Sequence, residues 1–231
     1  MRGGTAALAL VACCAVAAYI VLSPQKVAAP ADIPLMERKA PATALRIVAL
    51  GTSLTQNGTW PEAIARGLNS CVGTPVEIFA IAKAGANSDW GLAQTERVNA
   101  LLPDLVLVEF AVNDSDLFDG IGLNRSRENM RGIVAAIRTR RPDVQVVFMS
   151  TNPARGLRGW QRPLMQQYFD ALRSVAAAER VGYFDGWSRW QNDLGSSDLP
   201  DGLHPTSGAE ARVIVPALSA FIARSFDRDC A

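Results

Sequence analysis

Along this chain, short and almost uniformly apolar runs alternate with longer segments whose apolar positions recur every three to four residues. The short runs are Leu45–Leu50, Val76–Ala82, Leu105–Ala111, Val144–Ser150 and Gly182–Phe184. Their lengths suit strands, and strands without a polar face belong to a sheet covered on both sides. The helical period predicts helices near Trp60–Leu68, Ser88–Leu101, Arg127–Thr139, Pro163–Glu179 and Ala209–Arg224. Pro142 ends the third of these, and Ser207 followed by Glu210 reads as a capping box for the last. Such alternation predicts an α/β domain: a three-layer α/β/α sandwich with a five-stranded parallel sheet and right-handed crossovers. Ligands in these sheets bind beyond the carboxyl ends of the strands. That singles out the loops Gly51–Thr55, Lys83–Asn87, Val112–Asp116, Thr151–Arg162 and Asp185–His204.

The N-terminus follows a different pattern. Thr5–Leu22 carries neither charge nor proline, with Arg2 before it and Lys26 after it. Its length suits a signal-anchor better than a signal peptide, although the small residues Val27-Ala28-Ala29 leave cleavage open. The expectation is therefore a signal-anchor or signal peptide over 1–23. Residues 24–44, with Pro24, Pro30, Pro34 and Pro41, should form a semi-rigid spacer. One domain would occupy 45–231. The domain would lie on the periplasmic or extracellular side, membrane-anchored through the first segment, or be secreted if that segment is cleaved.

Composition narrows the picture by exclusion. A net charge of +1 and a charged fraction of 19% argue against a nucleic-acid partner or a disordered tail. Cys13 and Cys14 fall in the apolar run; Cys71 and Cys230 either bridge in an oxidising compartment or remain buried thiols. Without a C-x-x-C or a Cys/His cluster, no structural zinc, other metal or cofactor is expected.

Acyl transfer needs a nucleophile, a base, a group that orients the base, and donors for the developing oxyanion. The chain has one histidine, so any Ser/His/acid site must use His204. Asp201, three residues earlier, is close enough to hold the imidazole. Ser53 follows a buried strand and is the candidate nucleophile. The Ser53 and Gly85 amides and the Asn113 side chain are candidate oxyanion donors. Taken singly, Ser53 reads as a turn serine and His204 as a loop residue; the reading rests on their combination.

These residues stand in four blocks. Ala49-Leu50-Gly51-Thr52-Ser53-Leu54-Thr55, Ala82-Lys83-Ala84-Gly85-Ala86-Asn87-Ser88, Phe110-Ala111-Val112-Asn113-Asp114 and Asp201-Gly202-Leu203-His204-Pro205 resemble the motifs of the SGNH (GDSL-type) hydrolase superfamily. The resemblance runs from Leu45 to the final helix. It implies a flavodoxin-like SGNH hydrolase fold and a serine esterase. In it, Ser53, Asp201 and His204 would be catalytic, and Ser53, Gly85 and Asn113 would form the oxyanion hole. Two positions depart from the family pattern: Thr52 replaces the Asp before the nucleophile, and Ala111 replaces the Gly opening the third block. An ordinary α/β-hydrolase is disfavoured, because its elbow needs glycine where Thr55 stands.

The loop Pro153–Arg162 leaves the fourth strand on the site's edge. From it, Arg155, Arg158 and Trp160 are expected to bind an anionic or sugar-bearing substrate. Trp60, Trp90, Trp187 and Trp190 are mostly expected to pack helices on the sheet. Asp114, Asp116 and Asp119 read as a solvated acidic loop rather than a calcium site. The expected substrate is an ester: acetyl groups on cell-envelope or extracellular polysaccharide. Alternatives are a lipid or lysophospholipid esterase, an acyltransferase, and a non-catalytic glycan-binding domain.

Overall fold

The computed structural model describes residues 29–230. Its strands are β1 (Leu45–Gly51), β2 (Val76–Ala82), β3 (Leu105–Glu109), β4 (Gln145–Ser150) and β5 (Gly182–Asp185). All pair in parallel, in the spatial order β2-β1-β3-β4-β5. The helices are α1 (Ser53–Gln56), α2 (Trp60–Asn69), α3 (Ser88–Ala93), α4 (Thr95–Ala100), α5 (Ala111–Asp114) and α6 (Leu123–Arg140). After β4 come α7 (Gly156–Trp160) and α8 (Met165–Glu179), and after β5 come α9 (Gly186–Asp193), α10 (Ser207–Val213) and α11 (Val215–Arg224).

Successive strand residues point to opposite faces of the sheet, and each face has its own core. Val48, Leu50, Val106, Val108 and Phe148 pack with Ile133 and Ile137 of α6 and with Phe169 and Leu172 of α8. Ile47, Ala49, Leu107, Met149 and Phe184 pack with Ile64 and Leu68 of α2 and with Leu218 and Phe221 of α11. This double burial is why most strands read as unbroken apolar runs. Edge strand β2 is the exception, with Glu77 exposed. The register places Gly51 level with both Ala82 and Glu109. β1, β2 and β3 therefore end flush, and their three following loops open onto one place.

Four local expectations are corrected. β3 stops at Glu109, because the Asn113 and Asp114 amides turn back to the Phe110 carbonyl and form α5. The expected helix Ser88–Leu101 is two helices broken at Gln94, where Thr95 Oγ1 donates to the Leu92 carbonyl and competes with the helical ladder. The last helix breaks at Ile214, and Pro216 in the first turn of α11 has no amide to donate across the break. Its cap is Thr206, whose hydroxyl accepts from Ala209 N, while Glu210 turns away to Thr59.

Residues 29–44 do not form a spacer standing off the domain. They lie along it. Ile33 exchanges two 2.9 Å backbone hydrogen bonds with Tyr183 of β5. Asp32 forms a two-point ion pair with Arg189 at 2.8 Å and accepts from the Asp185 amide. Farther along, Gln145 Nε2 donates to the Met36 carbonyl and Arg38 to that of Asp104. An open β5 edge would leave backbone groups unpaired, and this strap satisfies part of it. The apolar run Thr5–Leu22 lies outside the described residues. Among the described residues no helix is long and apolar enough to cross a membrane.

Cys71, just after α2, forms a disulfide with Cys230 in the C-terminal tail, with Cα atoms 5.7 Å apart. The sequence separation of 159 residues makes this a large loop to close. Reduction is expected to lower stability by about 2–5 kcal/mol. Urea unfolding of the domain with and without reductant measures the difference.

Candidate active site

Ser53 opens α1 directly after β1. Thr52 caps that helix, with its hydroxyl accepting from Leu54 N at 3.2 Å. The Ser53 hydroxyl lies 2.8 Å from His204 Nε2, and His204 Nδ1 lies 2.6 Å from Asp201 Oδ2. An imidazole whose Nδ1–H donates to Asp201 presents a bare Nε2 to the serine hydroxyl, as a general base requires. Asp201 also accepts from the amides of Leu203 (3.0 Å) and His204 (2.8 Å). Burial would raise its pKa, but these hydrogen bonds outweigh it, the His204 ring first, and hold Asp201 below the usual carboxylate range.

Loop packing fixes this pair. Gly202 has φ +82°, and a side chain there would also strike the Arg155 carbonyl. Its own carbonyl accepts from Arg155 N at 2.7 Å, and Asn152 Nδ2 donates to the Leu203 carbonyl at 2.7 Å.

The donors stand opposite. Gly85, at φ +73°, faces open space where a side chain would project. Among the described residues the amides of Ser53 and Gly85 have no backbone acceptor. Asn113 Nδ2 gives one hydrogen to the Ala86 carbonyl at 2.8 Å and keeps the other. Its Oδ1 faces Arg162 Nη2 at 3.4 Å. Arg162 is itself held by the Val112 carbonyl (2.8 Å) and by Asp116 (2.8 Å), with both ion-pair partners buried. The amide of Asn113 thus has its acceptor and donor ends assigned by its neighbours.

Ser53, Gly85, Asn113 and His204 line one cleft of about 480 Å³, together with Asn57, Asp116, Asp119, Arg158, Gln161 and Arg162. Of the residues expected to bind substrate, only Arg158 lines it. Arg155 donates instead to the Gly195 carbonyl at 3.1 Å and braces the loop of the acid and histidine. Trp160 is 64% exposed beside the cleft-lining Gln161 in the chain, its ring 6.1 Å from that of Phe118. The other tryptophans are buried or packed against the core, as expected. The acidic loop is not solvated as a whole: Asp114 is buried and accepts from Ser88 N (2.8 Å) and Ser126 Oγ (2.6 Å), and Asp116 pairs with Arg162. Only Asp119 of the three is left at the surface.

The largest omission from the sequence reading is Glu109. Buried at the end of β3, its carboxylate receives Thr52 N at 2.6 Å, Thr52 Oγ1 at 3.0 Å and Thr55 Oγ1 at 2.7 Å. The available signal was a carboxylate inside a central apolar strand, a placement that demands partners. Glu210, likewise buried, takes the amide and hydroxyl of Thr59, each at 2.7 Å, just beyond α1.

This fold, with a serine, an imidazole and a carboxylate in hydrogen-bonded succession at its carboxyl edge, defines a hydrolase of the serine type. Residues 49–211 match the model of the GDSL-like lipase/acylhydrolase family, and the chain belongs to that ester-hydrolysing family. The lipase/acylhydrolase from Enterococcus faecalis is similar in structure at 20% identity and a TM-score of 0.65, over 81% of this chain and 98% of that one. A catalytic mutant of Axe2, an acetylxylan esterase from Geobacillus stearothermophilus, shares 16% identity at a TM-score of 0.63, over 84% and 96%. The M. smegmatis aryl esterase shares 19% at 0.63, over 79% and 99%. No curated protein matches the sequence.

Burial pushes the Glu109 carboxyl up from 4.5 to about 7, with the threonine hydrogen bonds opposing the shift. Between these values the folded chain binds a proton that the unfolded chain does not. The contribution of this group to stability is therefore expected to fall as pH rises from about 4.5 to about 7. Glu109→Gln is expected to flatten that decline, as read from urea unfolding at pH 5, 6 and 8 beside the parent chain.

Proposed function

We propose that this protein is a serine esterase that removes short acyl groups, acetyl above all, from a hydroxyl-rich carbohydrate of the cell envelope or extracellular matrix. The hydrogen-bond succession Ser53–His204–Asp201, opening on a polar cleft, carries the reading. His204 Nε2 takes the Ser53 proton as Oγ attacks the ester carbonyl. The oxyanion is received by the Ser53 and Gly85 amides and the free hydrogen of Asn113 Nδ2. Collapse expels the alcohol, which takes the proton from His204. Water, deprotonated by His204, then attacks the acyl-serine and releases the acid.

The cleft's lining supports a short acyl group and a polar alcohol: Asn57, Asp119, Arg158 and Gln161 offer hydrogen bonds, and the apolar members of the lining are Ala84 and Leu203. Phe118 and Trp160, exposed and next in the chain to the cleft-lining Asp119 and Gln161, suit stacking on a sugar face. Export is part of the proposal. The apolar run before Pro24 and the Cys71–Cys230 bridge both suit an oxidising compartment.

A lipid ester is the second reading, favoured by the exposed Leu117, Leu157 and Leu164 in the two segments that also carry Phe118 and Trp160. A panel of esters from acetyl to long-chain acyl separates the two. Acetyl esters of sugars should turn over fastest, and a rate rising with chain length would transfer the assignment to lipid. Ser53→Ala and His204→Ala should each lower kcat by about 10³-fold or more. Fluorophosphonate labelling that persists in Ser53→Ala would sink the nucleophile assignment.

A further inference from the structure

α1 is a single helical turn, and four residues cannot hold their own geometry without outside contacts. What holds its start is one buried side chain. Glu109 Oε1 and Oε2 together receive the Thr52 amide, the Thr52 hydroxyl and the Thr55 hydroxyl, the groups on either side of Ser53. The fit leaves no slack, since a side chain at Gly51 would collide with Glu109 Oε1 and Thr55 Oγ1.

We propose that Glu109 is a positioning residue for acyl transfer, its carboxylate clasping the β1–α1 turn so that the Ser53 hydroxyl stays aligned with His204. The proposal rests on the esterase reading. Glu109 acts through Thr52 and Thr55 and touches neither substrate nor the reacting atoms.

Its ionisation matters to that clasp. As a carboxylate it accepts from all three donors. Once protonated it must donate from one oxygen; if that is Oε2, facing Thr52 Oγ1, the Thr52 hydrogen is left with Oε1 at 3.1 Å, which already accepts from Thr52 N and Thr55 Oγ1. Thr52 and Thr55 face it from the turn. A small cavity of about 30 Å³ beside it is lined by one other carboxylate, Glu210, and by no cation. Glu210 is already engaged by Thr59. Burial places the Glu109 ionisation at about 7, within the range where an esterase is assayed.

The test compares full-length Glu109→Gln, Thr55→Val and Thr55→Ser with the parent. Gln keeps the shape and fixes the neutral state. Glu109→Gln and Thr55→Val should lower kcat and the fluorophosphonate labelling rate of Ser53 by on the order of 10-fold or more, with KM little changed. Thr55→Ser should restore most of the loss. The acid limb of the parent's kcat profile should involve one proton more than that of Glu109→Gln, the one on Glu109.

A folded Glu109→Gln with the parent's labelling rate and pH profile overturns the proposal, even if it melts earlier, because only a structural role would remain. Should Glu109→Gln fail to fold, Thr55→Val and Thr55→Ser decide on the same readouts. A parent chain that resists labelling sinks the esterase reading instead. The single histidine still reports the geometry in that case: its NMR resonances must shift in Glu109→Gln, and unshifted resonances reject the clasp.

Discussion

A carboxylate buried at the end of a central strand must find donors close by, and Glu109 finds them only in the turn that carries Ser53. Buried polar groups without partners are costly, so this constraint ties the core of the sheet to the conformation of its active edge. The flush ends of β1 and β3 make the contact possible, since Gly51 and Glu109 are register partners. Glu210 repeats the arrangement on the far side of α1 through Thr59, and Trp60 Nε1 donates to the Leu54 carbonyl at 3.0 Å. A one-turn helix that would not persist alone is thus held at its start, middle and exit.

The opposing half of the site is built on the same plan with charges of the other sign. Arg162 is a buried cation whose partners are the Val112 carbonyl, Asp116 and the oxygen of Asn113. An ion pair out of water contributes little net stability, but removing one partner is costly. Such a pair keeps α5 and the segment after α7 in fixed relation, and Asn113 lies between them. Leu117 N donates to the Gln161 carbonyl at 2.9 Å and joins the same two segments nearer the surface. Arg155, read in the sequence as a substrate contact, is an internal brace, and so is its neighbour in that loop, Arg162.

Much of the fold was legible because a doubly covered parallel sheet writes itself as apolar runs at strand length. The four blocks around Ser53, Gly85, Asn113 and His204 were legible because the carboxyl-edge rule says which loops can meet. Side-chain partnerships across elements were not. Asp114, Asp116 and Arg162 are ordinary polar residues in sequence, and only three-dimensional proximity reveals that they bury one another. The strap over β5 was hidden for a related reason: Pro30, Pro34 and Pro41 imply stiffness, which a docked segment and a free spacer share. The helix breaks at Gln94 and Ile214 leave the apolar period continuous, so periodicity does not mark them.

Thr52 is where the chain departs from its family's usual Asp, and the neighbouring charge gives that departure a physical reason. Thr52 Oγ1 sits 3.0 Å from Glu109 Oε2. Two carboxylates at that spacing would repel by about 5 kcal/mol at an effective dielectric of about 20, in addition to the cost of burying both. One would have to carry a proton at neutral pH. Threonine keeps an oxygen that can cap α1 at Leu54 N and adds a hydrogen that the buried carboxylate needs. The substitution is therefore not a lost brace. In this chain the acidic partner of the turn is supplied by the neighbouring strand, and the residue before Ser53 has become the donor.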